Sequence, residues 1–507
     1  MMRLSLLSLL ACCSVSQVSQ AAVQLQNITV QQANQYMQQQ QLSSVELTRY
    51  YLQQISALDD AGPQLNAIVD INSDALQQAA AMDAERKAGK IRSALHGIPI
   101  VLKANIATAD QLPTTAGALA LKDFKTSKDA ALVTQLRAAG AVILAKANLS
   151  EWANFRGEGS ASGWSALGGQ TKNPYLLTHS PCGSSSGSGV AVSADLTLLS
   201  VGTETDGSIV CPASMNGVVG IKPTRGSVPG QGIIPIAEAQ DIAGPMARTV
   251  ADAAVLLELL QSPEAQQQTG PLQQSAWLPK KVVLVRAFDK EFPAIKLMLD
   301  KTEAALLVAG VQVQTVQSWQ LPNEVYRDEL NVLVYEFGRD LAGWLKDYQV
   351  PDSVNTVQKL VDFNLAKGKE ALAFYGQEYL QQAAALDLNK EQSSYQQALK
   401  NSRALAEQHL DQYLKQAQAD LILIPTYGPS WPIDHVKGDS FNFGTSTAAA
   451  VAGYPNLSLP AGFDSDLPLG LSLIGLPWSE QKIISAAAFL EQKLQGRKAP
   501  QYLIKAR

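Results

Sequence analysis

The fold is decided by the stretch Pro181-Cys182-Gly183-Ser184-Ser185-Ser186-Gly187-Ser188-Gly189, together with Gly202-Thr203-Glu204-Thr205-Asp206-Gly207-Ser208 and Gly217-Val218-Val219-Gly220-Ile221-Lys222-Pro223-Thr224. The first two segments are clusters of serine and glycine, and the run between them is rich in alanine, valine and leucine, too apolar for a loop. Each cluster can therefore be fixed on a packed element. Glycine lets the backbone turn sharply and lets N–H groups face a bound oxygen, and serine supplies a hydroxyl that attacks or relays a proton. The pattern predicts a serine-based site whose base comes from elsewhere in the chain.

Strands and helices alternate on both sides of this stretch. Apolar runs predict strands at residues 67–71, 97–102, 141–145, 282–285, 421–425 and 471–475. Helices are predicted at 73–90, 129–139 and 482–494, and a capping box of Ser43 and Glu46 opens another helix before them. This order predicts an α/β fold with a large mixed, mostly parallel sheet flanked by helices. The stretch of about 289–418 is predicted as mostly helical, either as a cap over the site or as the outer layer of the sheet.

The N-terminal segment predicts export. Arg3 gives a positive start, residues 4–15 are apolar but too short to span a bilayer, and small residues at 19–22 suit cleavage. Residues 1–21 are therefore predicted to be a secretory signal peptide, followed by a single domain at 22–507 in the periplasm or outside the cell. Lipid anchoring at Cys12 is the alternative, because Leu9-Leu10-Ala11-Cys12 resembles a lipobox.

Composition and motifs narrow the class of function. The 507 residues are 46% hydrophobic and carry a formal net charge of −5 without a cluster of lysine or arginine, which argues against a nucleic-acid partner. No segment after the N-terminal one reaches transmembrane length, so no obligate membrane partner is predicted. The four histidines stand in no metal-ligand spacing and no phosphate-binding glycine motif is present, so neither a metal nor an organic cofactor is expected. The sequence leaves the oligomeric state open.

Two cysteines remain after the predicted cleavage, Cys182 and Cys211, and each neighbours a serine and glycine cluster. A disulfide between them fits an oxidising compartment. Two buried free thiols are the favoured alternative, because the sequence does not show the Cα separation that a disulfide requires.

The residues offer one candidate nucleophile, Ser185, and two kinds of candidate base, a histidine or a lysine. Gly183-Ser184-Ser185-Ser186-Gly187 matches the G-x-S-x-G elbow of α/β-hydrolases, which would make Ser185 an esterase nucleophile served by a histidine such as His435. That elbow needs a strand directly before it, and residues 173–181 read as a loop. The other candidate base is Lys103, which ends an apolar strand where burial disfavours the ammonium form. A neutral lysine near pH 7 requires its pKa to fall by about three units, roughly 4 kcal/mol.

Several long motifs in the same order resemble the amidase signature family. They are 97–103, 183–189, 202–208, 217–224, 241–248 and 453–462. Residues 148–155 and the segment that ends at Pro212 are similar to the peptide amidase branch, which hydrolyses C-terminal peptide amides. The resemblance implies the amidase signature fold and a serine amidohydrolase of a small amide or peptide amide, without metal or cofactor.

The family resemblance implies a Ser–cis-Ser–Lys triad. Ser208 takes the place of the nucleophile, Ser184 that of the bridging serine after a cis peptide bond, and Lys103 that of the base. The family's spacing between the serines is kept, since 208 − 184 is 24. The implied oxyanion hole is formed by the backbone N–H groups of Thr205, Asp206 and Gly207, and Ser185 is implied as a supporting hydrogen-bonding residue.

This chain departs from the family pattern near the site, which leaves its substrate open. Ala104 follows Lys103 where aspartate is usual, Asp206 stands where glycine is common, and Val210 stands where many members have arginine. A non-enzymatic exported solute-binding protein is a further alternative from composition. The glutamine amidotransferase subunit shares the family fold, but the predicted signal peptide argues against it.

Overall fold

The computed structural model describes residues 23–272 and 276–505. The predicted signal peptide at 1–21 and the anchoring site at Cys12 lie outside the described residues.

The strands form one large sheet and one small hairpin. Eleven strands make the large sheet, in the order β1-β3-β2-β6-β8-β7-β12-β13-β11-β9-β10, and β4 pairs with β5. Their bounds are β1 Ile68–Ile71, β2 Pro99–Lys103, β3 Val142–Ala147, β4 Trp164–Ser165, β5 Gly169–Gln170, β6 Leu199–Glu204, β7 Val219–Lys222, β8 Ile242–Ala247, β9 Lys281–Val285, β10 Gln312–Val316, β11 Leu421–Pro425, β12 Asn456–Asp464 and β13 Leu467–Ile474.

The predicted mixed sheet is confirmed, but within the described ranges its strands are not mostly parallel. Four adjacent pairs are parallel, on the two flanks of the sheet. Six are antiparallel, including every pair from β6 to β11 through the centre. Most of the recognised apolar runs, such as β2 and β9, belong to the parallel flanks, whereas the predicted strands β1 and β13 pair only antiparallel. The central strands β7, β8 and β12 contain glycine or proline, which are depleted in strands, so the sequence did not predict them.

Fifteen α-helices are described between residues 23 and 505, and several of them, such as α5, α7 and α15, pack on the sheet. Their bounds are α1 Val30–Gln38, α2 Ser44–Gln54, α3 Ala75–Lys87, α4 Ala131–Ala138, α5 Ser186–Ser193, α6 Val210–Met215, α7 Val250–Leu260, α8 Pro263–Thr269, α9 Pro293–Val308, α10 Asn323–Asp347, α11 Val357–Lys367, α12 Glu378–Ala385, α13 Leu388–Asp411, α14 Thr447–Ala452 and α15 Glu480–Leu494. Short 3-10 or π segments occupy Ile55–Asp60, Leu119–Leu121, Glu151–Asn154, Gly368–Glu370 and Gln412–Gln416.

Local signals in the sequence explain several of these elements. The predicted capping box is confirmed, because the Ser43 side chain accepts from the Glu46 N–H while Glu46 accepts from the Ser43 N–H. The apolar run between the first two clusters forms α5 and β6, and every residue of both is buried. The two serine and glycine clusters are thereby held on packed elements, as predicted.

The stretch 289–418 divides between the two predicted roles. Its first part, α9 and β10, belongs to the sheet, where β10 pairs in parallel with β9 at the edge. The strand β10 was not predicted, because three of its five residues are exposed and polar. Helices α10 to α12 instead pack in a separate apolar cluster, where Phe337 and Leu380 meet Trp152 and Phe155 from the core. We call this second part, helices α10 to α12 with the segments between them, the cap-like region.

Candidate active site

Lys103 is the last residue of β2 and is completely buried. Its Nζ lies 2.8 Å from Ser184 Oγ, 2.9 Å from Thr203 Oγ1 and 3.1 Å from the Thr203 carbonyl oxygen. Burial lowers the pKa of Lys103 to about 7, and the carboxylates of Asp241 and Glu204 act against this shift. A lysine at a strand end often extends into solvent, whereas this one is enclosed and directed at a serine.

Ser184 lies in a tightly packed loop ahead of α5, and the peptide bond between Gly183 and Ser184 is cis. Its side chain is buried beside Lys103, and its carbonyl accepts from the Ser150 N–H at 3.1 Å. A Cβ atom on residue 183 would lie 2.2 Å from Ser150 Oγ, so only glycine fits before this serine.

Ser208 follows β6 after a turn whose last residue, Gly207, has a φ of 77° that favours glycine. Glu204 closes this turn, because its Oε2 accepts from the N–H groups of Ile209 and Val210 at 2.7 and 3.0 Å. The Ser185 N–H donates to the Ser208 carbonyl at 3.1 Å, which ties the two serine segments together.

The turn before Ser208 presents backbone donors. In the described part of the chain, the N–H groups of Thr205, Asp206 and Gly207 donate to no protein acceptor. Thr205 is held from both sides, because its carbonyl accepts from Gln240 and its hydroxyl donates to Asp241 at 2.5 Å. These three residues are those that the family resemblance implied for an oxyanion hole.

The structure does not bring Ser185 and His435 together. Ser185 is fully buried, and its hydroxyl donates to the Thr203 carbonyl at 3.0 Å and accepts from the Thr203 N–H at 3.2 Å. The His435 ring lies 2.8 Å from Gln170 and stacks on Phe374. The residues before Ser185 form a loop rather than a strand, so the elbow of an α/β-hydrolase is not present here.

Cys182 and Cys211 form a disulfide, so the favoured prediction of two free thiols is wrong. The sequence could not decide between them because the two residues are 29 positions apart, and only the packing of α6 against the loop of Ser184 brings their Cα atoms to 5.9 Å. The bridge connects the segment before Ser184 with the helix after Ser208.

Ser208 opens into a cavity of about 610 Å³ that we call the serine cleft. Its floor contains Cys182, Gly183, Thr205, Asp206 and Ser208. Eight aromatic side chains from the loop 427–443, the segment 288–326 and Phe155 line a large part of the remaining wall: Phe155, Phe288, Trp319, Tyr326, Tyr427, Trp431, Phe441 and Phe443.

Sequence reasoning missed the walls of the serine cleft and the partner of Lys103. Thr203 holds Lys103 through both of its oxygens, and it was visible only as part of a serine and glycine cluster. A polar residue on a buried strand near a predicted nucleophile is a signal that points to it. The aromatic residues of the loop 427–443 followed a predicted strand, and an aromatic-rich loop at a strand end is likewise a recognisable signal.

A larger cavity of about 1160 Å³ adjoins the serine cleft and shares Ala153, Thr205 and Ile236 with it. Ser208 does not line it, so the serine cleft is the candidate substrate site. Among the described residues, no group of three or more His, Cys, Asp and Glu side chains is placed to hold a metal ion. Within the same ranges, no helix has the length and apolarity to cross a bilayer.

The comparison with protein families agrees with this geometry. The model of the family described as amidase matches residues 46–484. This chain belongs to the amidase signature family. The amidase is 34% identical over 498 residues to a probable amidase of Arabidopsis thaliana, across 94% of this chain and 92% of the relative. It is 32% identical to a glutamyl-tRNA(Gln) amidotransferase subunit of Acinetobacter baumannii, across 91% of this chain and 95% of that relative.

Solved structures resemble the amidase along nearly its whole length. The native peptide amidase from Stenotrophomonas maltophilia is 42% identical, with a TM-score of 0.86 over 94% of this chain and 98% of that one. A peptide amidase in complex with the competitive inhibitor chymostatin is 43% identical, with a TM-score of 0.87 over 93% of this chain and 99% of that one. The chain is therefore an amidase, a hydrolase of amide bonds, and the non-enzymatic alternative does not hold.

Proposed function

We propose that this amidase cleaves amides through an acyl-enzyme on Ser208, with Ser184 as the proton relay and Lys103 as the base. The observation that carries the proposal is the buried contact of Lys103 Nζ with Ser184 Oγ at 2.8 Å. A lysine acts as a base only when it is neutral, and complete burial favours that form.

The hydrogen bonds around Lys103 suit the neutral amine. A neutral amine has two N–H donors and one lone pair. The two oxygens of Thr203 accept both donors, and Thr203 Oγ1 also accepts from Asn105 Nδ2 at 3.0 Å. The lone pair is then left for the hydroxyl of Ser184, which is the arrangement that proton removal requires.

The proposed reaction moves one proton along this chain of groups. Ser208 loses its proton to Ser184 as Ser184 passes its own to Lys103, and Ser208 Oγ bonds to the amide carbon. The negative oxygen of the tetrahedral intermediate accepts from the N–H groups of Thr205, Asp206 and Gly207. The proton returns through Ser184 to the departing nitrogen as the carbon–nitrogen bond breaks, and water then cleaves the ester of Ser208.

Replacing Ser208 tests the proposal. We expect Ser208→Ala to reduce kcat/KM for simple amides by about 10³-fold or more, because no other group replaces the nucleophile. A fluorophosphonate should label the native protein on Ser208, as mapped by mass spectrometry.

Ser185→Ala is the matched control for this experiment. We expect the label to stay on Ser208 in that variant, because Ser185 bonds to the Thr203 backbone and does not line the serine cleft. Label on Ser185 in the native protein, or near-native turnover by Ser208→Ala, would show that the proposed nucleophile is wrong.

For the substrate we propose C-terminal peptide amides. The similarity to peptide amidases supports this class, and so does a cleft whose volume suits a drug-sized molecule or a short peptide end. Ammonia release from a peptide amide, a free amino-acid amide and a fatty amide tests it, and we expect the highest kcat/KM for the peptide amide. Faster hydrolysis of the fatty amide would contradict the proposal.

We further propose that the protein is exported after removal of residues 1–21. The disulfide of Cys182 and Cys211 supports this, because disulfides persist in oxidising compartments. N-terminal sequencing of the protein from cell fractions tests the proposal. An intact N-terminus in the cytoplasmic fraction would contradict it, and a lipid on Cys12 would favour the anchored alternative.

A further inference from the structure

The serine cleft has an unusual balance of apolar and charged side chains. Eight aromatic residues line it, and neither lysine nor arginine is among the described residues of its wall. Its carboxylates are Asp206 and Asp439. An electrostatic environment of this kind favours neutral or cationic ligands over anions.

The two carboxylates differ in their partners. Both oxygens of Asp439 accept hydrogen bonds, one from the Trp431 ring N–H and both from the Ser162 N–H. Asp206 Oδ2 accepts from the Thr447 hydroxyl at 2.6 Å, and its other oxygen has no protein donor in the described structure. Asp206 lies two residues before Ser208, so its carboxyl group lies near the reacting amide. Burial raises the pKa of Asp206, and the hydrogen bond from Thr447 acts against this shift.

Most of the aromatic residues of the serine cleft come from two parts of the chain, the segment 288–326 and the loop 427–443. Tyr326 at the start of α10 is 49% exposed and Phe441 of the loop 427–443 is 54% exposed. When an apolar group of a ligand covers exposed aromatic rings that face a cavity, the burial of both surfaces favours binding. Deeper in the serine cleft, Phe288 and Phe443 stack with their ring centres 3.6 Å apart.

We propose that the serine cleft selects peptide amides with an aromatic or large apolar residue at the scissile amide and rejects those with an acidic residue there. This inference rests on the proposed function of the site. The aromatic wall binds the apolar side chain, while an acidic side chain must leave water and approach Asp206 without a basic partner. The same repulsion weakens binding of the peptide carboxylate that hydrolysis produces.

Three matched substrates test the proposal. N-acetyl-Ala-Phe-NH2, N-acetyl-Ala-Gln-NH2 and N-acetyl-Ala-Glu-NH2 differ only in the last side chain, and glutamine matches glutamate in size without its charge. We expect kcat/KM to fall about tenfold to hundredfold from phenylalanine to glutamine, and about tenfold again to glutamate. Chromatography with mass detection identifies the acid formed at the C-terminus.

Two phenylalanine-to-alanine variants and one aspartate-to-asparagine variant locate the effect. Phe441→Ala should raise KM for the phenylalanine substrate about tenfold, whereas KM for the glutamine substrate should stay within about threefold of the native value. Phe374→Ala is the control, because Phe374 is 46% exposed but does not line the serine cleft. We expect Phe374→Ala to leave kcat/KM for all three substrates unchanged. Asp206→Asn should reduce the preference for the glutamine over the glutamate substrate, measured as the ratio of their kcat/KM values, at least threefold.

The outcomes separate this inference from the proposed function. Equal kcat/KM for the three peptides, or equal effects of Phe441→Ala and Phe374→Ala, would overturn the selectivity while leaving peptide amide hydrolysis intact. If none of the three peptides is cleaved but other amides are, the proposed substrate class is wrong and the selectivity falls with it.

Discussion

Burial of Lys103 determines the protonation state on which its proposed chemistry depends. The side chain is enclosed at the end of β2, and burial lowers its pKa to about 7. The neutral form is therefore available near neutral pH without a histidine. Burial of Lys103 in this form costs folding stability, because an unburied lysine keeps its proton up to about pH 10.

The pH dependence of turnover follows from that shift. Below about pH 7 Lys103 gains a proton and can no longer accept one from Ser184, so we expect kcat/KM to fall tenfold per pH unit on the acid side, with an apparent pKa near 7. A pH series with a neutral amide measures this limb. The rate of fluorophosphonate labelling should follow the same limb, and full activity down to pH 5 would contradict a role for neutral Lys103.

At the scale of the structural elements, a disulfide joins the loop before α5 to helix α6. It connects Cys182, two residues before Ser184, with Cys211 on α6, three residues after Ser208. Both serine segments are thus joined covalently as well as through the bond from Ser185 N–H to Ser208 carbonyl.

Removal of the bridge should lower stability. The closed loop has a sequence separation of 29, for which the loss of chain entropy in the unfolded state predicts about 3–4 kcal/mol. Denaturant unfolding of the Cys182→Ala, Cys211→Ala double variant against the native protein measures this. Thiol titration of the denatured mature protein without reductant should find no free thiol, and two titrating thiols would show that the bridge is not formed.

At the scale of the whole molecule, Arg156 joins the cap-like region to the core. The guanidinium is completely buried and pairs with Glu151 at 3.0 Å. It also donates to the carbonyls of Ala371, Tyr375 and Gly376 at 2.7 to 3.0 Å and stacks on the Tyr375 ring. One side chain therefore holds the segment between α11 and α12 in place.

Arg156→Met should destabilise the protein by about 3–5 kcal/mol, because it leaves Glu151 buried without its partner. Denaturant unfolding measures the loss, and hydrogen exchange should show residues 368–377 opening before the sheet does. Arg156→Lys keeps the charge but not the several N–H donors of the guanidinium, so we expect an intermediate loss of unfolding free energy. Unchanged exchange in that segment would show that Arg156 does not anchor the cap-like region.

Part of the fold could be predicted from neighbouring residues alone, whereas the roles of Ser184 and Ser208 in the candidate site were implied only by the family resemblance of longer motifs. Continuous apolar runs revealed the flanking strands such as β2, β9 and β11, because a strand buried on both faces is apolar throughout. The central strands β7, β8 and β12 were missed because glycine and proline interrupt them. The order of the strands, and with it their direction, depends on pairings between distant segments that no local pattern encodes.

The sequence by itself determined which residue types were available to the chemistry: a lysine after an apolar strand, serines among glycines, and two cysteines beside them. Only the tertiary structure decided that Lys103 contacts Ser184 across 81 positions, that Thr203 holds the amine, and that the cysteines are joined. It also placed the aromatic residues of the loop 427–443 around Ser208. These contacts require distant segments to meet, which depends on the packing of the whole sheet, whereas residue identity and short-range pattern are properties of the chain before it folds.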